Sequence, residues 1–381
     1  MQSRELLDRL IRYPTVSRDS NLELIRFIKS FLEASGFSAE LIYNKEKTKA
    51  NLYSIIGPAG KPGVMLSGHT DVVPVEGQNW SSDPFTMREH NGNLYGRGSC
   101  DMKGFIASVL SAVSTVDAAS LKTPLHLAFS YDEEIGCIGV RRLIDTLKPV
   151  EVKPSLCVVG EPTLMQPIIA HKGKTAARAH CHGIEGHSSL APQSVNAIYL
   201  ATELINSIRK IQQNIIDHGH HDHDYDVSHT TLHVGTISGG TALNIVPNYC
   251  TFDFEIRNLP ADNPLQIMEN LKEASSRITS SLKSDHPTVN IELEITNEYP
   301  ALNTAPESEI VAFIKKLTGA NTLGKIAFGT EGGLFSRDLG VETIVFGPGS
   351  IEQAHKPDEY LSIDQLERCD AFLHKLISAL S

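Results

Sequence analysis

Five short segments of this chain bring two imidazoles and at least four carboxylates to the ends of apolar runs. They are S-G-H-T-D with His69 and Asp71, G-S-C-D-M-K-G with Asp101, S-Y-D-E-E-I-G with Glu133 and Glu134, V-V-G-E-P-T with Glu161, and Q-A-H-K-P-D-E-Y with His355. Imidazole and carboxylate are the borderline-hard donors that zinc, cobalt and manganese accept, and loops carried on a rigid sheet can aim them at one point. The chemistry this set suits is hydrolysis at a pair of divalent cations.

Each candidate has a plainer role to set beside that one. A lone histidine at a strand end is usually a core residue, but Asp71 follows His69 by two positions. Residues i and i+2 of a strand share a face, so the Asp71 carboxylate can hold the second ring nitrogen and set the tautomer. Asp101 follows Gly96-Arg97-Gly98-Ser99 and precedes a helical run; its two oxygens can span cations about 3.5–4 Å apart, and the same position suits a helix N-cap. Asp132, Glu133 and Glu134 form a charge run of the kind that is ordinarily solvated. Here the run ends an apolar strand, so one carboxylate can bind metal while its neighbour, within about 3 Å of a water, serves as general base. Glu161 leaves a buried strand at a turn fixed by Pro162, which favours ligation.

The elements that would position these groups can be read from periodicity. Helical spacing covers residues 4–13 and 22–35, with Gly36 as a stop signal. Apolar runs at 52–56, 64–67, 125–130 and 156–159 read as strands buried on both faces, and 102–116 reads as a helix between the second and third. That alternation predicts an α/β domain on a mostly parallel sheet, with the ligand segments at the carboxyl ends of the strands. From residue 175 the pattern changes to polar–apolar alternation at 175–181, 231–237, 249–257 and 288–295, separated by helices at 195–212 and 264–281. This order predicts an inserted α+β ferredoxin-like domain at 175–298. Residues 1–174 and 299–381 then form the metal-binding catalytic domain, closing with a helix at 308–317, a strand at 342–346 and a helix at 363–380.

Composition narrows the functional classes. A chain of 381 residues exceeds what one core organises, and 41% hydrophobic with 21% charged residues is ordinary for a soluble globular protein. The net charge of −11, without a basic footprint, excludes a nucleic-acid partner. No apolar run reaches eighteen residues and M-Q-S-R-E-L-L-D lacks the features of a secretory signal, so a cytoplasmic protein without membrane association is expected. The six cysteines stand singly, which suggests neither a zinc ribbon nor a disulfide framework, and Cys100 beside Asp101 reads as structural. The histidine-rich segment 218–226 reads as a solvated loop that picks up nickel or zinc adventitiously.

As a set, S-G-H-T-D-V-V-P (67–74), L-Y-G-R-G-S-C-D-M-K-G (94–104), D-E-E-I-G (132–136), G-E-P-T (160–163), G-H-S-S (186–189) and H-K-P-D-E-Y (355–360) resemble the M20 metallopeptidase family, over nearly the whole chain. The resemblance implies that His69 and Glu161 bind one metal ion and Glu134 and His355 the other, with Asp101 bridging and Asp71 supporting His69. It implies zinc, with cobalt or manganese as substitutes, and Glu133 as the base on a metal-bridging water and then as the acid. It also implies a cis peptide after Asp101 and a homodimer through the inserted lid domain. His187 would reach the partner's site, while Arg257 and Asn244 would contact an N-acylamino acid substrate, Arg257 at its α-carboxylate. The runs at 229–247 and 328–335 resemble the branch of that family that deacetylates N2-acetyl-L-ornithine more than the branch that removes succinyl groups. In that case Glu331 would pair with a cationic side chain or amine, though a structural role suits it equally. The alternatives implied are other N-acylamino acids (N-acetylcitrulline, N-formyl or N-succinyl compounds), a dipeptide, or a metal-binding protein without catalysis.

Overall fold

Every residue of Val64–His69, Leu125–Ser130 and Leu156–Val159 is buried, a pattern that only a sheet covered on both faces accommodates. The computed structural model describes residues 1–381 as two compact units. One comprises Met1–Ala170, Leu302–Lys325 and Thr330–Ser381; the other comprises His171–Ala301 and Ile326–Gly329.

The first unit is built on a sheet in the order Ala39–Tyr43, Ala50–Ile56, Leu125–Ser130, Val64–His69, Leu156–Val159, Glu342–Val345, Ile168–His171 and Leu302–Asn303, with Gly324–Ile326 paired to Ile168–His171. The four central strands, from Leu125–Ser130 to Glu342–Val345, run parallel, so their carboxyl ends emerge at one edge. Ala50–Ile56 differs from the expectation for 52–56, because it pairs antiparallel with Leu125–Ser130. An apolar run looks the same in either direction. Its sense is set by the hairpin with Ala39–Tyr43, whose loop is closed by the Asn44 side-chain oxygen accepting from the amides of Thr48 and Lys49.

Helices Ser3–Ile11, Gly104–Val113 and Ile363–Leu380 pack together, and Leu22–Ala34 and Ile138–Leu147 lie against Ala50–Ile56. Gly104–Val113 is buried at all but one residue, which its composition of alanine, serine, glycine and aliphatic side chains permits. It starts two residues later than its spacing predicts, because Asp101 and Met102 have non-helical backbone torsions (φ −123°, ψ 95° and φ −133°, ψ 35°). Asp101 does not cap this helix. A small antiparallel sheet of Tyr360–Ser362, Asn93–Tyr95 and Arg88–His90 pairs Tyr360 with Tyr95, and so holds the segment after His355 beside the one before Asp101.

The second unit has a four-stranded antiparallel sheet in the order Thr231–Gly239, Tyr249–Asn258, Gly173–His182 and Asn290–Tyr299. With helices Ala197–His218 and Pro264–Ser280 the chain order is strand, helix, strand, strand, helix, strand, the ferredoxin-like arrangement. Burial alternates strictly along Gly173–His182 and Tyr249–Asn258. Cys181, Phe252 and Ile256 from the sheet meet Leu204, Ile208 and Leu271 from the helices, each fully buried aliphatic or aromatic side chain contributing about 2 kcal/mol. The histidine-rich segment follows the helix end at His218 as a loop, as expected. No helix of the chain is long and apolar enough to cross a membrane.

Candidate metal centre and active site

Strand geometry delivers the candidate ligands of the first unit. His69 is the last residue of its strand, Glu133 and Glu134 follow Leu125–Ser130, and Glu161 follows Leu156–Val159 across Gly160. Gly160 is required there: a Cβ would come within 2.1 Å of the Phe105 ring. Asp101 arrives on the turn Ser99–Lys103 and His355 on the loop before Tyr360–Ser362. The Asp101–Met102 peptide is cis.

These groups converge. His69 Nε2 lies 3.0 Å from Asp101 Oδ1 and 3.7 Å from Glu161 Oε1. On the other side, His355 Nε2 lies 3.4 Å from Asp101 Oδ2 and 3.1 Å from Glu134. Asp101 therefore turns one oxygen to each imidazole, the arrangement a bridging carboxylate needs. Donor atoms of His69, Glu133 and Glu161, and of His69, Asp101 and Glu134, fall within 4.8 Å of one another. An imidazole and carboxylates about each oxygen of Asp101 fit two divalent cations of the zinc or manganese type.

The tautomer of His69 is set differently from expectation. Its Nδ1 lies 2.9 Å from the backbone carbonyl of Asp71 and 3.5 Å from the Asp71 carboxylate. A carbonyl only accepts, so Nδ1 carries the N–H and Nε2 is directed at Asp101 and Glu161. The Asp71 carboxylate instead ties two segments together. It accepts from Ser17 Oγ at 2.7 Å and from the amides of Glu133 and Glu134 at 3.0 and 3.3 Å.

Three consecutive acids coexist because their side chains diverge. Asp132 turns away to Lys49 Nζ at 2.6 Å, both largely buried, and accepts from the Arg18 amide. Glu134 faces His355, and Glu133 faces the space beside His69 while accepting the Cys137 thiol proton at 3.2 Å. Burial is the main force on the acids: it raises Glu133 to about 8 and Glu134 to about 7, with further upward pushes from Glu134, Glu331 and Asp71 on Glu133 and from Asp101 on Glu134. Glu161 is raised well above the carboxylate range for the same reason. Burial opposes a charge on His69, but Asp101, Asp71 and Glu161 outweigh it and hold the imidazolium. His355 is raised to about 10 by Asp101 and Glu134. Asp101 itself is lowered, because the two imidazoles outweigh its burial.

Glu331 is enclosed in the first unit, accepting from Ser130 and, at 3.3 Å, from Ser67, and burial raises it to about 7. The remaining expected residues lie in the second unit. His187 pairs with Ile245 in a two-stranded ribbon, its Nδ1 2.8 Å from Ser189 Oγ, and the Asn244 carbonyl accepts from the Ser188 amide, so His187 and Asn244 are neighbours. Arg257 stands near the other end of Tyr249–Asn258, donating to Glu255 at 3.0 Å and to Tyr299 OH at 2.9 Å. It is not brought together with His187. Lys49, Ser17 and Glu359 escape a reading of the sequence, although Glu359 stands inside H-K-P-D-E-Y, four residues after His355.

Comparison with known proteins agrees with this architecture. Residues 65–379 match the family model described as Peptidase family M20/M25/M40. The chain is 33% identical to an acetylornithine deacetylase of Myxococcus xanthus over 380 residues, covering 98% of this chain and 96% of the relative. It is 35% identical to an acetylornithine deacetylase of Shigella sonnei (strain Ss046), covering 94% and 92%. Among solved structures, an M20 family metallo-carboxypeptidase from Sulfolobus solfataricus shares the fold with a TM-score of 0.78 at 20% identity, covering 100% of this chain and 99% of that one. The chain belongs to peptidase family M20/M25/M40.

Proposed function

We propose that this protein is a dinuclear metal-dependent N-acylamino acid deacylase that hydrolyses N2-acetyl-L-ornithine to L-ornithine and acetate, a step of arginine biosynthesis. The observation that carries the reading is Asp101, with one oxygen toward His69 and Glu161 and the other toward His355 and Glu134. The substrate rests on the two deacetylases that resemble nearly the whole chain.

Two bound divalent ions, zinc first and cobalt or manganese as substitutes, would supply Lewis-acid polarisation of the amide carbonyl and of water. His69 with Glu161, and His355 with Glu134, would hold them, with Asp101 between. Glu133 accepts the proton of the attacking water and then delivers it to the departing amine, so the C–N bond breaks as the amine takes up the proton. A buried carboxyl at about 8 suits the second of these transfers, and neighbouring cations favour the ionised form needed for the first. Asp71 keeps the backbone of Glu133 and Glu134 in register with His69.

In the second unit we assign Arg257 to the α-carboxylate of the substrate, Asn244 to a second polar contact and His187 to the developing oxyanion. Glu255 and Tyr299 steady the Arg257 guanidinium. Glu331, in the first unit, answers the positive charge of ornithine. Arg257 lies eight residues along its strand from Tyr249, about 26 Å at the rise of an extended chain, while His187 belongs to the ribbon beyond Tyr249. One amino-acid derivative does not bridge that span. This favours a homodimer through the second unit in which the partner's His187 completes the site. Six unpaired, buried thiols suit action in the cytoplasm.

The test is release of ornithine from N2-acetyl-L-ornithine by zinc- or cobalt-loaded protein, after chelation, and with Glu133→Ala. Release that disappears with chelator and falls by three or more orders of magnitude (~10³) in the variant is the expected result. Cleavage of a dipeptide or another acylamino acid in its place moves the substrate assignment and keeps the reaction class.

A further inference from the structure

Glu359 is a buried carboxylate whose two oxygens are both occupied by groups of the Asp101 loop. Oε1 accepts from the amides of Cys100 at 2.9 Å and Asp101 at 3.0 Å; Oε2 accepts from the amide of Gly98 at 3.1 Å and from Arg97 Nη1 at 2.7 Å. The turn that offers these amides to one acceptor needs a left-handed residue at Gly98 (φ +80°), where a Cβ would also come within 2.7 Å of Val72. Arg97 continues the chain of contacts. Its Nη2 donates to Gln78 Oε1, its Nη1 reaches the Lys356 carbonyl at 3.4 Å, and its guanidinium lies 5.0 Å above the Trp80 ring. Gln78 Nε2 then donates to the His355 carbonyl at 2.8 Å. His355 has a left-handed backbone (φ +63°), a conformation that a β-substituted residue keeps only when its surroundings hold it.

One network, buried at Glu359 and Arg97 and reaching the surface at Gln78, therefore grips the backbone of two residues that face each other across the centre, Asp101 and His355. We propose that Glu359, Arg97 and Gln78 form a positioning unit that sets the spacing of the two cation sites. The network holds Asp101 by its amide and His355 by its carbonyl, leaving both side chains free to ligate. The proposal rests on the dinuclear reading above and adds the residues that determine its geometry.

Glutamine at 359 has one acceptor oxygen where the loop requires two, so Glu359→Gln turns an amide group toward donors. Gln78→Ala lies outside the core and removes the hold on His355 together with the acceptor of Arg97 Nη2 and Trp80 Nε1, while the grip of Glu359 on the Asp101 loop stays. Both are to be titrated with cobalt, following visible absorption and stoichiometry, with the chelated proteins compared by circular dichroism. Wild type should take up two cobalt ions; Glu359→Gln should bind both about 10–100-fold more weakly, and Gln78→Ala one of them, with altered bands. On the substrate the loss should fall on kcat with KM little changed. Should Glu359→Gln not fold, Gln78→Ala decides. Variants that titrate like wild type and keep kcat overturn the proposal while the function stands. Weakened cobalt binding in the variants, with a cobalt-loaded wild type that releases no ornithine, sinks the substrate assignment and leaves the positioning unit in place. Wild type that takes up no cobalt overturns both.

Discussion

As the proposed base, Glu133 has to be ionised to take a proton from water, yet burial raises its carboxyl to about 8, and Glu134 and Glu331 to about 7. A carboxyl raised by folding contributes stability that is fully present below its unfolded value near 4.5. That contribution is lost as pH rises through about 7 for Glu134 and Glu331 and about 8 for Glu133. Cations beside these groups favour the ionised forms, so metal uptake by chelated protein at pH 6 should release protons, and affinity should climb between pH 6 and 8. Calorimetric titration with zinc in two buffers of different ionisation enthalpy measures this. Equal heats in both buffers would contradict it. At this scale the candidate ligands were legible because each sits in a short motif, at a strand end for His69, Glu133, Glu134 and Glu161 and on a loop for Asp101 and His355. Lys49, Ser17 and Glu359 were not, since they act on partners 83, 54 and 258 residues away, a pairing that only the folded chain creates. The role expected of the Asp71 carboxylate went to its own backbone carbonyl, because residues i and i+2 share a face but their main chain is nearer.

The loop that carries Glu133 and Glu134 hangs on elements rather than on its own sequence. Its first residue, Asp132, has a left-handed backbone (φ +53°) and is anchored by Lys49, at the start of the strand region Ala50–Ile56, and by the Arg18 amide. Lys49→Met removes one charge of a buried pair and leaves the other uncompensated, a change that costs about 3 kcal/mol or more. The urea midpoint should fall, and with it the metal affinity, because the displaced loop carries the proposed ligand Glu134. Adding Asp132→Asn should recover part of the stability, since no unpaired charge then remains. A double variant less stable than the single one would show that the pair acts by something other than charge balance. Long amphipathic helices such as Ile363–Leu380 and the alternating strands of the second unit were legible from period alone. Leu302–Asn303 and Ile168–His171 were not, because so short a run has no period to detect; Leu156–Val159 and Glu342–Val345, equally short, were read only from their consecutive aliphatic residues. The direction of Ala50–Ile56 lay equally beyond an apolar pattern.

At the scale of the whole molecule, the groups assigned to one reaction are spread over two units and, in the proposed dimer, two chains. Chains with Glu133→Ala lack the proposed base but keep His187; chains with His187→Ala keep that base but lack the proposed oxyanion donor. If His187 serves the partner's site, mixing the two inactive proteins under conditions that let subunits exchange rebuilds one complete site in each mixed dimer, from the base of one chain and the histidine of the other. Random exchange makes half of the dimers mixed, so the mixture should reach about a quarter of wild-type activity. If His187 serves its own chain, no site in any dimer holds both groups and the mixture stays inactive. The separation of His187 from Arg257 along the second unit's sheet argues for the first outcome. Their register is fixed by the ladder from Tyr249–His182 to Asn258–Gly173, which no local rearrangement of the ribbon can shorten. Recovery of activity would identify the dimer as the catalytic unit, whereas wild-type activity unchanged on dilution to monomers would count against it.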